Sequence, residues 1–153
     1  FLFSLIFFMI SCSFNDLPKL QNKNNFFVAI ETPGGKYNTY FKENLKRLFL
    51  NNRNSDKSYI LKTSITFHST ETLSVSGLNI LKSTKANINY VLKNRKTNLM
   101  IKSGSIDTFP SLSSSSSSLY SREKSIENIR ERLTRKSASS LYMQILTILR
   151  RLS

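Results

Sequence analysis

Four kinds of side chain in this sequence could do chemistry: one histidine, one cysteine, many serines and nine carboxylates. His68 is the sole imidazole, and no second His or Cys stands at metal-ligand spacing, so the sequence carries no zinc-site signature. The residues around His68 alternate polar and apolar, and His68 falls in the polar row, which predicts a solvated side chain. No serine sits in a nucleophile-elbow pattern with a base partner. Glu123, Glu127 and Glu131 recur at helical spacing, the pattern of a solvated helix face. Gly34-Gly35-Lys36 lacks the earlier glycine and the following Ser or Thr of a phosphate-binding loop, since Ile30 and Tyr37 hold those positions. The expectation is a protein that is not an enzyme and uses neither metal nor cofactor.

Cys12 is different because of what precedes it. Phe1 to Ile10 is an uncharged apolar run, and the composition turns polar and basic immediately after Cys12. A secretory signal has an apolar centre of about 7–15 residues followed by a small residue at the cut. A membrane span needs roughly 20 apolar residues, more than this run supplies. Met9-Ile10-Ser11-Cys12 resembles a lipobox, where bacterial signal peptidase II cuts before a cysteine that then carries lipid; Met9 and Ser11 replace the usual Leu and Gly or Ala. Residues 1–11 are therefore expected to be the later part of an export signal, cleaved between Ser11 and Cys12. Cys12 is the expected lipid-attachment site, its sulfur consumed as a thioether. Residues 12–25, with Pro18 and several Asn, read as a lipidated tether. Ser13 after the cysteine favours sorting to the outer membrane, where Asp would favour retention inside.

The charge narrows the partner. Lys and Arg total 23 against nine Asp and Glu, a net charge of +14. Such an excess suits an anionic membrane surface, a phosphorylated glycolipid or nucleic acid. An AT-rich genome, which enriches Asn, Lys and Ile, is the bland alternative.

The remaining 128 positions, 26–153, fit one domain. Phe26–Glu31 is a short strand ended by Thr32-Pro33-Gly34-Gly35. From Asn38 to Asn51 the period becomes helical through Phe41, Leu45, Leu48 and Phe49, with Asn38 or Thr39 as the expected cap. Tyr59–His68 alternates, as does Ile80–Lys93, where Ala86, Ile88, Tyr90 and Leu92 share a face. Ser69–Asn79 reads as a loop. Asn94-Arg95-Lys96-Thr97 reads as a hairpin turn, and Leu99–Phe109 as a returning strand with a bulge at Gly104. Ser111–Ser118 reads as a mobile Ser-rich loop. A long helix is expected from about Ser121, with Ile126, Ile129, Leu133, Leu141, Ile145, Ile148 and Leu152 as its buried stripe and Lys136–Ser140 as an interruption. The expected architecture is α+β: a two-layer sandwich in which two helices pack on a four-stranded, mostly antiparallel sheet, in the order β-α-β-β-β-α.

This order, with Ser117-Ser118-Leu119-Tyr120-Ser121 before a basic final helix and Ile88–Leu92 leading into a hairpin, resembles the LPS-assembly lipoprotein LptE (RlpB) family. After Cys12 the chain has Ser13-Phe14-Asn15-Asp16 instead of the Gly-Phe-x-Pro common there. The resemblance implies an outer-membrane lipoprotein, anchored on the periplasmic side, that plugs an LptD-type β-barrel while the pair places lipopolysaccharide in the outer leaflet. Cationic side chains bind phosphates through charge-assisted hydrogen bonds, so Lys93, Arg95 and Lys96 at the hairpin, with Lys85 on the adjoining strand, are candidate lipopolysaccharide contacts. Two other functions compete: an auxiliary lipoprotein subunit of a lipid transporter, and a basic nucleic-acid-binding protein. No aromatic stacking positions interleave with the basic residues, so nucleic acid is not expected as a partner.

Overall fold

A computed structural model describes residues 26–49, 55–73, 80–114 and 118–152. The expected signal, the cleavage between Ser11 and Cys12, lipid attachment at Cys12 and the tether 12–25 lie outside the described residues.

The strand Phe26–Glu31 (β1) leads through Gly34-Gly35 into the helix Lys36–Leu48 (α1). Two long strands follow, Lys57–Leu73 (β2) and Ile80–Asn94 (β3), then Met100–Asp107 (β4) and Ser111–Ser114 (β5). The helix Leu119–Arg151 (α2) closes the chain. The sheet order is β1-β2-β3-β4, with β5 also on β3. β1 runs parallel to β2, as a strand pair joined through a helix can; every other pairing is antiparallel.

Both helices cover one face of this sheet, α1 over β1 and β2, and α2 over β3 and β5. The alternation explains which residues meet them. On β2 the odd positions Tyr59, Leu61, Thr63 and Ile65 are buried, and on β3 the even positions Thr84, Ala86, Ile88, Tyr90 and Leu92. Phe41, Leu45 and Phe49 of the α1 segment are fully buried against them, each worth about 1.5–3 kcal/mol relative to exposure. The helices run in the same direction. The ion pair Lys36–Glu127 joins their beginnings, and the rings of Phe49 and Tyr142 meet edge-on at 5.0 Å near the end of α1.

The structure corrects several expectations. The first half of the Ser-rich stretch is a strand, because Ser111–Ser114 pairs with Leu81–Thr84 through its backbone. Thr108 carries the ladder between β4 and β5: its N–H donates to the Ala86 carbonyl at 2.9 Å. Its Oγ1 accepts from the Ala86 N–H at 2.8 Å. Pro110, lacking an N–H, falls in the break between them. β2 continues to Leu73, beyond the expected strand end. The register irregularity on the β3–β4 ladder lies between Leu92 and Lys93, whereas Gly104 stands in regular register opposite Tyr90. α1 begins at Lys36 after Gly35, whose φ of 116° suits glycine, and Asn38 lies inside the helix. On α2 the segment Lys136–Ser140 does not interrupt the core: Ser137 and Ala138 are fully buried, while Leu152 is 51% exposed.

Candidate functional site

The uncovered face of the sheet carries Ser, Asn and Lys side chains along β2, β3 and β4, with Val91 among them. Ser64 and Lys62 of β2, Asn89 of β3 and Ser103 and Ser105 of β4 line an open groove of ≈ 800 Å³. Beside it a short hydrogen-bond chain runs along β3 and onto β4: Asn89 Nδ2 donates to Asn87 Oδ1 at 3.1 Å, and Asn87 Nδ2 to Asp107 Oδ1 at 2.9 Å. Lys62 pairs with Glu31 at 3.2 Å on the same surface. Alternation puts these residues there, since each is one step out of phase with the buried row.

At one end of the sheet the β3–β4 turn, Arg95–Thr97, holds two of the candidate cations. Asn94 stiffens it, its Oδ1 accepting the N–H groups of Lys96 at 2.8 Å and Thr97 at 3.2 Å. The Arg95 N–H donates to the Ser58 carbonyl at 2.9 Å. Its guanidinium lies 5.6 Å from the Phe27 ring centroid. Asn98 takes φ 56°, the left-handed conformation Asn tolerates in turns. Lys93 is half-buried just before the turn; Arg95 and Lys96 are exposed.

Lys93, Arg95 and Lys96 are thus brought together, and Lys85 is not. Lys85 lies eight positions back on β3, opposite His68, about 26 Å away at 3.3 Å per strand residue. Lys85 therefore stands apart from the hairpin cations, and one phosphate group cannot meet both. What joins the turn instead is Lys57, which pairs with Phe26 at the start of β2. Lys46 and Arg47 in the last turn of α1, and Arg150 and Arg151 in the last turn of α2, fall at the same end. The path of α2 shows this. Arg132 Nη2 donates to Ser111 Oγ at 2.6 Å, and twelve residues later Gln144 Nε2 donates to Tyr90 Oη at 2.9 Å, so the helix advances toward the turn. The sequence carried one signal for these residues, the basic last turn of each helix, but not which sheet end those turns reach.

The opposite end is more balanced. Glu127 lies between Lys124, 2.8 Å away, and Lys36. Hydrogen bonds from Lys124 first, and from Lys36 next, hold its carboxyl down at about 2. The Lys36 and Lys124 ammonium groups are raised by the same bonds. The Arg130 guanidinium stacks beside Tyr37 at 5.8 Å and Phe67 at 5.7 Å.

Among the described residues no group of three or more His, Cys, Asp or Glu could hold a metal ion. His68 is exposed, as its place in the alternation implied. No helix among the described residues is long and apolar enough to cross a membrane.

No protein-family model matches the chain, and no curated protein sequence does. The fold itself is shared with small bacterial lipoproteins. It is similar to a candidate lipoprotein from Caulobacter crescentus (TM-score 0.64, 14% identity, 82% of this chain and 92% of that chain). It is similar to rare lipoprotein B from Shewanella oneidensis (TM-score 0.64, 8% identity, 82% and 97%). A minor lipoprotein from Acinetobacter baumannii also matches (TM-score 0.52, 14% identity, 81% and 93%). At such identities the likeness is one of fold.

Proposed function

We propose that this protein is an outer-membrane lipoprotein, anchored through Cys12 on the periplasmic side, that plugs an LptD-type β-barrel during assembly of lipopolysaccharide. The observation that carries the reading is the fold shared with rare lipoprotein B over 97% of that chain, RlpB being the other name of the family the sequence resembles. The polar sheet face supports it, because a Ser- and Asn-lined surface suits the wet interior of a large barrel. So do Lys93, Arg95 and Lys96, gathered where they can meet lipid A phosphates. The chain contributes shape and charge to this process and no bond-breaking step. Depletion in the native cell tests the reading: lipopolysaccharide labelled at the cell surface should fall while the total pool persists. Unchanged surface lipopolysaccharide would refute it.

A further inference from the structure

We infer that the end of the molecule bearing the β3–β4 turn docks on the anionic phospholipid headgroups of the leaflet that holds the anchored chain. The inference rests on the anchored reading of Cys12 and concerns the chain when it is outside any barrel, so it goes beyond the plug function.

Charge is the first argument. Arg47, Lys57, Lys96 and Arg151 are exposed at this end beside Arg95 and Lys93. The described carboxylates near them are Glu43, which Lys46 already pairs at 2.9 Å, and Asp56. At the other end carboxylates accompany the cations, with Lys82 on Glu71 at 3.1 Å and Lys124 on Glu127 at 2.8 Å. Carboxylates are therefore scarcer beside the cations at the turn end than at the opposite end, where Glu123, Glu127 and Glu131 stand among the cations of α2.

Attachment is the second argument. β1 begins at Phe26, paired with Lys57, so the residues that follow Cys12 join the fold at this same pole. The thirteen residues Ser13–Asn25 span at most about 45 Å when fully extended. The anchor thus confines the basic pole to within about 45 Å of the headgroups, so that it repeatedly comes inside the Debye length of about 10 Å over which exposed charges attract.

Exposed apolar side chains supply the third. Leu99 is 68% exposed and Met100 64% exposed at the edge of the turn, and Leu152 emerges beyond Arg151. Cations around apolar tips are the composition of a surface that rests in the headgroup layer, each Lys or Arg contributing roughly a fivefold gain near an anionic leaflet.

The test uses the full lipidated chain, whose Cys12 sulfur is blocked, with a dye attached through Thr97→Cys or, at the far pole, Thr70→Cys. Vesicles contain phosphatidylcholine alone, phosphatidylcholine with phosphatidylglycerol, or phosphatidylcholine with lipopolysaccharide, each with a headgroup-borne quencher. Quenching at Thr97→Cys is expected with phosphatidylglycerol, weak with phosphatidylcholine alone, and lost in about 1 M salt, where the Debye length falls to about 3 Å. The combined exposed-site variant Arg47→Glu, Lys57→Glu, Lys96→Glu should lower the docked fraction ratio about a hundredfold or more. Thr70→Cys should stay unquenched throughout. Equal quenching in neutral vesicles, quenching at Thr70→Cys, or a response to lipopolysaccharide without one to phosphatidylglycerol would each overturn the inference. None of these outcomes bears on the proposed part in lipopolysaccharide assembly, which the depletion experiment reads separately.

Discussion

Gln144 of α2 donates a 2.9 Å hydrogen bond to the phenol oxygen of Tyr90 on β3, tying the long helix to the middle of the sheet. The ring reaches that position by lying over Gly104 on the neighbouring strand, where a Cβ would come within 3.0 Å of Tyr90 Oη and 3.2 Å of its ring carbons. Gly104 is therefore a clearance residue. Gly104→Val should destabilise the fold by about 1–3 kcal/mol through overpacking. Tyr90→Phe, which removes only the hydroxyl, should cost about 0.5–1.5 kcal/mol. Urea midpoints of the two variants check both values, and a neutral Gly104→Val would show that the ring has another seat.

Asn38 protects an open sheet edge. β1 accompanies β2 only as far as Lys62, so Ile65 has no strand partner on that side. Its N–H donates instead to Asn38 Oδ1 at 2.9 Å. Asn38→Leu leaves this part-buried donor without that acceptor and should cost about 1–3 kcal/mol. Amide exchange at Ile65 should accelerate more than at Ile88, which faces it from β3. Uniform acceleration would mean that the side chain matters only to global stability.

Glu127 makes the junction of the two helix beginnings sensitive to acid. Its carboxyl titrates at about 2 in the folded chain against an ordinary 4.5, lowered by Lys124 and Lys36. A depressed folded value contributes stability above the unfolded value, and that contribution disappears as pH falls from about 4.5 through about 2. Wild type should therefore exceed Glu127→Gln in stability at neutral pH, and the difference should close at pH near 2. Denaturant midpoints of both chains across this window check the sign; a gap that widens in acid would contradict the assignment.

Cys12 should carry the lipid. An intact-mass measurement on the membrane-extracted protein should give a chain beginning at Cys12 with acyl groups added, one acyl chain alone being only a marginal anchor. A chain starting elsewhere, or an unmodified Cys12, would refute the anchored reading and the headgroup docking that rests on it.

The fold was legible wherever burial follows a simple period. Tyr59–Ile65 and Ala86–Leu92 alternate because one face of the sheet meets helices and the other meets water, and Phe41, Leu45 and Phe49 repeat because α1 lies on that face. β5 was not legible, since Ser111–Ser114 pairs through its backbone and has no alternating apolar row of its own. Gly104 looked like an irregularity in a strand, and only the Tyr90 ring above it shows why glycine stands there. The buried stripe of α2 hid Ser137 and Ala138 because small and polar residues carry no hydrophobic signal. The cations of the candidate site were visible singly. That Lys57 joins Arg95 and Lys96 while Lys85 does not depends on strand register, which hydrophobic period alone leaves open.

The most direct test of the proposed role is to recover the full lipidated chain from detergent-extracted membranes of its native cell and identify what accompanies it. The account predicts a large outer-membrane β-barrel, together with lipopolysaccharide. Recovery with the subunits of an inner-membrane lipid transporter, and no barrel, would contradict it.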